Sequence, residues 1–548
     1  MIETKTKFKK NISTFSLLMT GITTIIGSGW LLGTQKITEI AGPAGLISWV
    51  VGAGVAILVA LFYLEIGTRY PSAGGIGFYS HMTHGRFCGF LTSWINWLSI
   101  VAVPPIEAQG IIQYMSNLPF LKFLYLPQSH SLTAFGLLAG VLMMILFMFI
   151  NYWSVQFFIR FNNVFTVVKI IIPIITIICL SYHGLDFNNF SHQKGGFMPF
   201  GWSSVFVSVI TCGVVMSFNG FQSPMTFSEE IASPKRMLPI AVLGSILIAF
   251  VIYFFLQAIF AASLTPAMLA QGWSGVNFRS PYVDLLLFAN FHLAVLCVYI
   301  GSIISPTACG SGFMASSSRI MYSLAKQHHL PKYLSVLNEH FQNPRRSVVT
   351  CTIVGTAILL MFKGWYQLVA VISVLHIFSY IPAPIIALAN RRHDKHIRKQ
   401  QFTIPFASIL SPILLFILSV LLFYAAWPLT IHMLILLIPG LCFYFYYEYK
   451  FFRGKHFMLN LLGASWLIFY LIGMATISYL GNDQGHVQNI ISTHTSLILL
   501  MLLSLVIAWY GVYIASPEQL GKAHLREGAA VDESRVRHPD PLPGDVAT

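Results

Sequence analysis

The chain has 548 residues, of which 56% are hydrophobic and only 9% are charged. Because a soluble domain carries about 25% charged residues, this composition excludes a water-soluble enzyme or binding module and indicates a membrane protein. The formal net charge is +14. Most Lys and Arg residues fall in alternate loops, which indicates membrane topology rather than nucleic-acid binding.

Apolar runs predict the membrane spans, since a hydrocarbon core about 30 Å thick needs roughly 20 apolar residues per helix. Fourteen such runs lie near residues 14–35, 44–68, 88–115, 133–152, 163–182, 203–230, 238–262, 286–324, 347–363, 367–390, 408–427, 430–449, 459–479 and 492–514. The basic loops predict that both termini are cytoplasmic. We expect an all-α polytopic membrane protein.

The remaining segments are expected to carry little chemistry. Residues 1–13 form a cytoplasmic N-terminus, and residues 515–548 are polar without an apolar period, which is typical of a disordered cytoplasmic tail. The seven cysteines are scattered singly without metal-binding spacing, so we expect no metal, no disulfide framework and no cofactor.

The first run contains an interruption where a continuous helix is expected. It reads Thr20-Gly-Ile-Thr-Thr-Ile-Ile-Gly-Ser-Gly-Trp-Leu-Leu-Gly33, with Gly27-Ser28-Gly29 near its middle. Unpaired backbone in lipid costs several kcal/mol, so an unwound stretch must be buried in protein or line a cavity. The alternative is close helix packing, which small residues also permit.

The sixth run has a matching interruption within its stretch Thr211–Glu230. It consists of Ser217, Asn219, Gly220 and Pro224. Runs one and six are corresponding members of two five-helix halves, residues 14–182 and 203–390, and an odd number of helices inverts the second half. Paired interruptions in inverted repeats indicate the central site of a transporter. A half-helix N-terminus suits an anion and freed carbonyls suit a cation, so the site suits an amino acid.

Several motifs resemble those of the amino acid-polyamine-organocation permeases, over roughly the first 400 residues. They are Ile26-Gly-Ser-Gly-Trp30, Glu65-Ile-Gly-Thr-Arg-Tyr-Pro-Ser-Ala-Gly-Gly75, Phe218-Asn-Gly-Phe221, Glu229-Glu-Ile-Ala-Ser-Pro-Lys-Arg-Met-Leu-Pro239, and Ser318-Arg-Ile-Met-Tyr-Ser-Leu-Ala325 with Leu330-Pro331. The usual Asp-Gly near the end of the eighth span is replaced by Gln327-His328-His329. Within the family, Val103-Pro-Pro-Ile-Glu-Ala-Gln109 is most similar to the bacterial aspartate/glutamate transporter branch.

The resemblance implies a five-plus-five inverted-repeat fold with helices one and six broken, followed by four additional C-terminal helices in residues 408–514. It also implies a substrate site at the two breaks. The substrate carboxylate would meet the amides of Ser28 and Gly29. The candidate groups for the substrate amine are the carbonyls of Ile25 or Ile26 and the region of Met216, Ser217 and Asn219.

Two aromatic residues flank the sixth-span interruption. Phe218 and Phe221 could form a lid over the substrate, or they could simply pack in the core. His376, in the tenth span, is interpreted as a hydrogen-bonded packing residue.

Lys169 lies inside the fifth span, where burial disfavours a charged amine. In the family that the chain resembles, some proton-coupled members carry a lysine at the matching point, where sodium-coupled relatives hold an ion. We therefore predict that Lys169 carries the coupling proton and that H+ rather than Na+ is the coupling ion. Two alternatives remain. The first is that Lys169 is a snorkelling stem. The second is that Ser305, Thr307 and Ser311 in the eighth span line a sodium site, although such residues also bond back to their own helix or across to a neighbour.

Glu107 lies in the third span beside Pro104 and Pro105. A carboxyl group there should face the helix bundle and be protonated or paired. Three roles stay open: selecting a cationic side chain, relaying a proton, or capping backbone groups freed by the prolines. In a protonated state it could also donate a hydrogen bond to a substrate carboxylate.

These features predict a secondary active amino acid transporter that works by alternating access with proton symport. An exchanger, or a sensor or channel on the same fold, is the alternative, and no enzyme motif is present. The expected partners are a small-molecule amino acid and the lipid bilayer, with no nucleic acid and with the oligomeric state open. The expected location is a bacterial inner membrane.

Overall fold

The computed structural model describes residues 12–70, 75–153, 155–191, 195–338, 343–393, 402–425, 427, 429–452, 457–481 and 490–515. The predicted 1–13 segment and 515–548 tail lie almost wholly outside these residues. The helices are α1 (Thr14–Ile25), α2 (Gly29–Ala41), α3 (Gly45–Gly67), α4 (Gly75–Val101), α5 (Val103–Met115), α6 (Ala134–Tyr152), α7 (Val155–His183), α8 (Gly201–Thr211), α9 (Val214–Phe218), α10 (Ser223–Thr226), α11 (Pro234–Ala262), α12 (Pro281–Phe288), α13 (His292–Lys326), α14 (Arg345–Met361), α15 (Trp365–Tyr380), α16 (Pro382–His393), α17 (Ala407–Tyr424), α18 (Leu429–Ile435), α19 (Ile438–Phe452), α20 (Phe457–Gly481) and α21 (Thr493–Ile514). A small antiparallel hairpin, β1 (Tyr125–Leu126) and β2 (Ser131–Leu132), joins α5 to α6.

The protein is a mostly helical, multi-pass membrane protein. Within the described residues, 11 helical segments are long and apolar enough to cross a membrane. The expected fourteen spans differ from this number because α1 and α8 are short halves of interrupted runs and α14 has only 17 residues. The span count, the two inverted repeats at 14–182 and 203–390 and the four additional helices at 408–514 stay predictions.

The two halves of the first run lie at the centre of the bundle. α1 packs against α11, α7 and α13, and α13 in turn packs along α5 and α7. Small residues along α13 permit this close approach. A Cβ atom at Gly301 of α13, for example, would lie 2.9 Å from Ile172 Cγ2 of α7. The first-run interruption is therefore surrounded by α5, α7, α11 and α13.

The last helices form an outer layer. α20 and α21 pack on each other, α20 contacts α4, and α21 contacts α16 and α17. Large apolar side chains of α21, such as Leu502 and Trp509, are exposed, as expected for a surface that faces lipid. This pair covers the bundle without approaching its centre.

Ion pairs hold several helix ends together. Arg319 at the end of α13 pairs with Glu230 at 3.2 Å, and Arg391 of α16 pairs with Glu65 of α3 at 2.5 Å. Glu65 also accepts the backbone N–H of Ile404 at 3.0 Å. The acidic residue of the second-span motif therefore ties α3 to α16 and to the start of the following segment.

Candidate functional site

The first run is unwound over Ile26, Gly27 and Ser28, a segment that is called the first break from here on. α1 ends at Ile25, Ile26 is extended (φ −82°, ψ 93°), and α2 begins at Gly29. Ending one helix and starting another within three residues leaves carbonyls of α1 and amides of α2 without intrahelical partners. Because these groups are buried, other helices must supply their partners.

Lys169 supplies one of these partners. Its Nζ donates a 2.5 Å hydrogen bond to the Thr23 carbonyl in the last turn of α1, and the residue is 1% exposed. Next to it, the hydroxyls of Thr23 and Thr166 are hydrogen-bonded to each other, which joins α1 to α7 a second time. Lys169 therefore points into the bundle at the break and does not extend to a membrane surface.

The next carbonyls accept from α11 and α13. The Tyr253 hydroxyl donates to the Ile25 carbonyl at 2.9 Å. Ser305 Oγ lies 3.1 Å from the Ile26 carbonyl oxygen and 3.0 Å from that of Gly27. Both carbonyls predicted to bind a substrate amine thus have one protein donor each, and a carbonyl oxygen can accept a second hydrogen bond.

The amide side of the break is met by α5 and α15. The Ser28 backbone N–H donates to Glu107 Oε2 at 2.7 Å, and the Ser28 hydroxyl accepts from Trp365 Nε1 at 2.9 Å. Glu107 is fully buried. Glu107 thus caps a backbone group freed at the first break, not one freed by the prolines of its own helix.

Glu107 and Lys169 contact the first break from opposite sides. Between them, Cys309 of α13 donates from Sγ to the Thr24 carbonyl at 3.2 Å. A carboxyl group and an amine therefore lie on the amide side and the carbonyl side of the same unwound segment.

The sixth run is interrupted between α8 and α9 and again between α9 and α10; this region, residues 212–222, is called the second break from here on. α8 ends at Thr211, and Gly213 adopts the left-handed conformation (φ 83°), which glycine enters without a steric penalty. The chain then continues as the short helices α9 and α10. The prediction from sequence located the interruption at Ser217–Pro224 and did not include Gly213, although a glycine within an apolar run is a signal for such a turn.

The two interruptions face each other directly. The Thr24 hydroxyl donates to the Gly220 carbonyl at 2.9 Å. A Cβ atom at Gly220 would collide with the backbone of Thr24 and Ile25, and one at Gly29 would collide with Ser217 Oγ. Glycines thus allow direct backbone contact, and Ile25, Ile26, Ser28, Gly29 and Ser217 are brought into one site.

Asn219 is the centre of a buried side-chain network. Its Oδ1 accepts from the Tyr380 hydroxyl and from Gln222 Nε2, both at 2.9 Å. Its Nδ2 therefore faces His376 Nε2, with which it is hydrogen-bonded, and the ring proton of His376 lies on Nδ1. Asn219 and His376 thus fasten the second break to α15.

The aromatic residues of the second break pack against neighbouring rings. Phe218 contacts Trp49 and Tyr253 with ring centroids 5.8 and 5.7 Å apart, and Phe221 contacts Tyr380 at 5.6 Å. Both are buried, which fits the packing alternative. Met216 is also buried, and its carbonyl accepts the Asn219 N–H at 3.0 Å.

Some residues of the site gave no signal in the sequence. Tyr253 and Cys309 lie in otherwise ordinary apolar spans, and Trp365 precedes the predicted tenth span as the first residue of α15. Each of the three reaches the break from a different helix. Of the three serine and threonine residues considered for sodium, Ser305 contacts the break, whereas Ser311 bonds back to the Thr307 carbonyl at 2.7 Å.

Comparison with known proteins identifies the family. The amino acid permease family model matches residues 12–438. A glutamate/serine transporter of Bacillus subtilis, AimA, is 37% identical over 500 residues, covering 91% of this chain and 92% of the relative. An aspartate-proton symporter of the same organism is 31% identical over 517 residues, covering 93% and 98%. A methylthioribose transporter is 25% identical over 488 residues, covering 87% and 94%.

These matches confirm the resemblance inferred from the motifs, and they span both interruptions and most of the chain. The chain belongs to the amino acid permease family, within the amino acid-polyamine-organocation superfamily of membrane transport proteins.

Proposed function

We propose that this protein is a secondary active transporter that moves an amino acid together with a proton by alternating access. The observation that carries the proposal is the buried hydrogen bond from Lys169 Nζ to the Thr23 carbonyl at the first break. A five-plus-five inverted-repeat bundle with about 14 membrane helices and two broken helices would provide the two half-helices at its centre. Both termini would lie in the cytoplasm of a bacterial cell.

The substrate backbone would bind between the breaks. The N-terminal end of α2 presents the amides of Ser28 and Gly29 and the positive end of a helix dipole, which suits a carboxylate. The carbonyls of Ile25 and Ile26 retain acceptor capacity beside Tyr253 and Ser305. These carbonyls would accept hydrogen bonds from the substrate ammonium.

Lys169 would carry the coupling proton. As an ammonium it holds the Thr23 carbonyl and so fastens α1 to α7. A neutral amine at the same place would hold that carbonyl less strongly, since hydrogen bonds from charged donors are the stronger ones. Protonation would therefore favour the conformation in which α1 and α7 stay together, and proton release would favour the other.

The names of two relatives suggest which kind of side chain the substrate carries. One relative is named a glutamate/serine transporter and another an aspartate-proton symporter. We therefore propose an acidic or small polar amino acid as the substrate and H+ as the coupling ion.

Uptake into proteoliposomes tests this function. Radiolabelled glutamate, aspartate, serine and a wider amino acid panel would be offered with and without an inward proton gradient. We expect saturable accumulation of one substrate class only with the gradient, and loss of that accumulation in Lys169→Ala. The matched control is Lys332→Ala, since Lys332 is exposed at the start of a short 3-10 helix, and it should transport like the parent protein.

Two outcomes would contradict the proposal. The first is uptake that does not depend on the proton gradient but is driven by amino acid inside the liposomes. The protein would then be an exchanger and Lys169 a structural residue. Specific binding without any uptake would favour a sensor.

A further inference from the structure

The carboxyl group of Glu107 lies where the substrate carboxylate is expected. Its Oε2 accepts the Ser28 backbone N–H at 2.7 Å. This N–H belongs to Ser28, the N-cap residue directly before the 13-residue helix α2, whose free leading amides and dipole favour an anion. Glu107 therefore makes the interaction that an amino acid carboxylate would make there.

The surrounding residues leave room for this carboxyl group. A Cβ atom at Gly27 would collide with Glu107 Oε1 and would lie 2.8 Å from Cys309 Sγ. Three residues after Glu107 on α5, a Cβ atom at Gly110 would lie 2.6 Å from Ser28 Cβ. Two glycines thus bring α5 and the break close enough for Glu107 to reach the amide.

Glu107 is only partly satisfied in this position. Its Oε1 is buried and has no hydrogen-bond partner among the described residues. Because a buried polar atom without a partner is unfavourable, the carboxyl group is held mainly by the Ser28 N–H, with smaller contributions from the side chains of Ser28 and Cys309.

One backbone N–H cannot serve two carboxyl groups, and two carboxylates in one buried site repel each other. We infer that Glu107 is an internal competitor of the substrate, which occupies the Ser28 amide until the substrate carboxylate displaces it. This inference rests on the proposed function, which places the substrate carboxylate at the start of α2.

Displacement of Glu107 links the substrate to Lys169. Lys169 and Glu107 contact the same unwound segment from opposite sides, so a substrate carboxylate at Ser28 would add a second negative charge near Lys169 while the displaced Glu107 stays in the site. A nearby anion favours the charged form of an amine. Binding of the substrate carboxylate would thus strengthen retention of the proton on Lys169, and the proton would strengthen substrate binding in return.

Paired ligands test the competition. The probes are L-glutamate, L-aspartate and L-serine, each with its α-carboxamide, and their Kd values would be measured by calorimetry on the purified parent protein and on Glu107→Gln. A glutamine at this position could still accept from Ser28, but a neutral acceptor binds more weakly than a charged one and does not repel a carboxylate. We expect the Kd of α-carboxylate probes to fall about 10-fold in Glu107→Gln, and that of the α-carboxamides to change less than about 3-fold.

A fixed positioning role for Glu107 gives the opposite result. In that case Glu107→Gln would weaken both members of each pair, or the carboxylate more, and the inference would be overturned. If Glu107→Gln does not fold, Glu107→Met, of similar length and without an acceptor oxygen, must show the same selective gain. Glu39→Gln is the matched control, because Glu39 is partly exposed and pairs with Lys36 at 2.6 Å; its Kd values should equal those of the parent protein.

Transport distinguishes failure of this inference from failure of the proposed function. If the parent protein accumulates substrate with a proton gradient while Glu107→Gln binds it less tightly, only the competition is wrong. If no probe binds either protein, the substrate placement is wrong and the inference falls with it.

Discussion

The two breaks are held in different ways. At the first break, side chains of four other helices reach the freed backbone: Glu107 of α5, Lys169 of α7, Tyr253 of α11 and Ser305 of α13. At the second break, the chain turns back on itself through short helices, and the fastening contacts run between side chains around Asn219. Side chains of other helices thus bond the freed backbone groups at the first break, whereas most backbone bonds at the second break are local and Thr24 supplies one from α1.

This difference suggests that the two breaks have different roles. The first break brings two ionisable side chains, Glu107 and Lys169, against its backbone, so changes of charge act directly on its conformation. The second break is surrounded by the neutral groups of Asn219, Gln222 and Tyr380. We therefore expect variants at the first break to alter ligand and proton dependence, and variants at the second to alter stability.

The largest expected effect is a loss of folded protein on substitution of Gly220, where the two breaks are in contact. In Gly220→Ala the added Cβ atom would collide with the Thr24 and Ile25 backbone, which cannot move aside as a side chain can. Overpacking costs about 1–3 kcal/mol and occasionally more, and we expect the upper end here. Size-exclusion profiles and thermal unfolding in detergent should show little folded protein.

Gly54→Ala is the matched control for that variant. A Cβ atom at Gly54 meets nothing within 4 Å, and alanine is favoured over glycine in a helix by about 1 kcal/mol. Normal folding of both variants would show that the breaks do not need direct backbone contact.

A smaller loss of stability is expected in Asn219→Ala. The change removes the partner of the Tyr380 hydroxyl and of the Gln222 amide, and that of His376. A buried group left without a partner costs about 1–3 kcal/mol, so the midpoint of thermal unfolding should fall clearly. Asn188→Ala, at an exposed position, should leave it unchanged. An unchanged midpoint in Asn219→Ala would show that the network does not hold the second break.

Sequence reasoning located what depends on local chemistry. The Gly27-Ser28-Gly29 interruption stands out because three small residues follow one another in an apolar run, and Lys169 stands out because a charge is rare inside a span. The partners could not be predicted, since Glu107 is 79 residues from Ser28 and Trp365 is 337 residues from it. The packing of Phe218 could not be predicted for the same reason, because its neighbours Trp49 and Tyr253 come from distant spans.

Trp365→Phe should have a moderate and functional effect. The variant keeps a ring at this position but removes the Nε1–H donor to the Ser28 hydroxyl. A hydrogen bond contributes about 0.5–1.5 kcal/mol, so we expect a several-fold rise in the Km for uptake with little change in the unfolding midpoint. Trp273→Phe is the control, because Trp273 Nε1 has no hydrogen-bond partner among the described residues. Equal Km values in the two variants would argue against a role for Trp365 in placing Ser28.

The smallest expected effect is that of Tyr253→Phe, and it examines whether the first break is held by each donor separately. The variant removes the hydroxyl that donates to the Ile25 carbonyl at 2.9 Å, while the ring keeps its contacts with Trp49 and Phe218. The carbonyl then loses its protein donor and becomes more available to a substrate ammonium. Stability should fall by about 1 kcal/mol. Affinity for amino acids should be equal or slightly higher, whereas affinity for the same acids without the amino group should not rise. Tyr282→Phe, which removes a buried hydroxyl that donates to Thr34, provides the comparison: a matching affinity change there would show that the effect arises from general loosening and not from the Ile25 carbonyl.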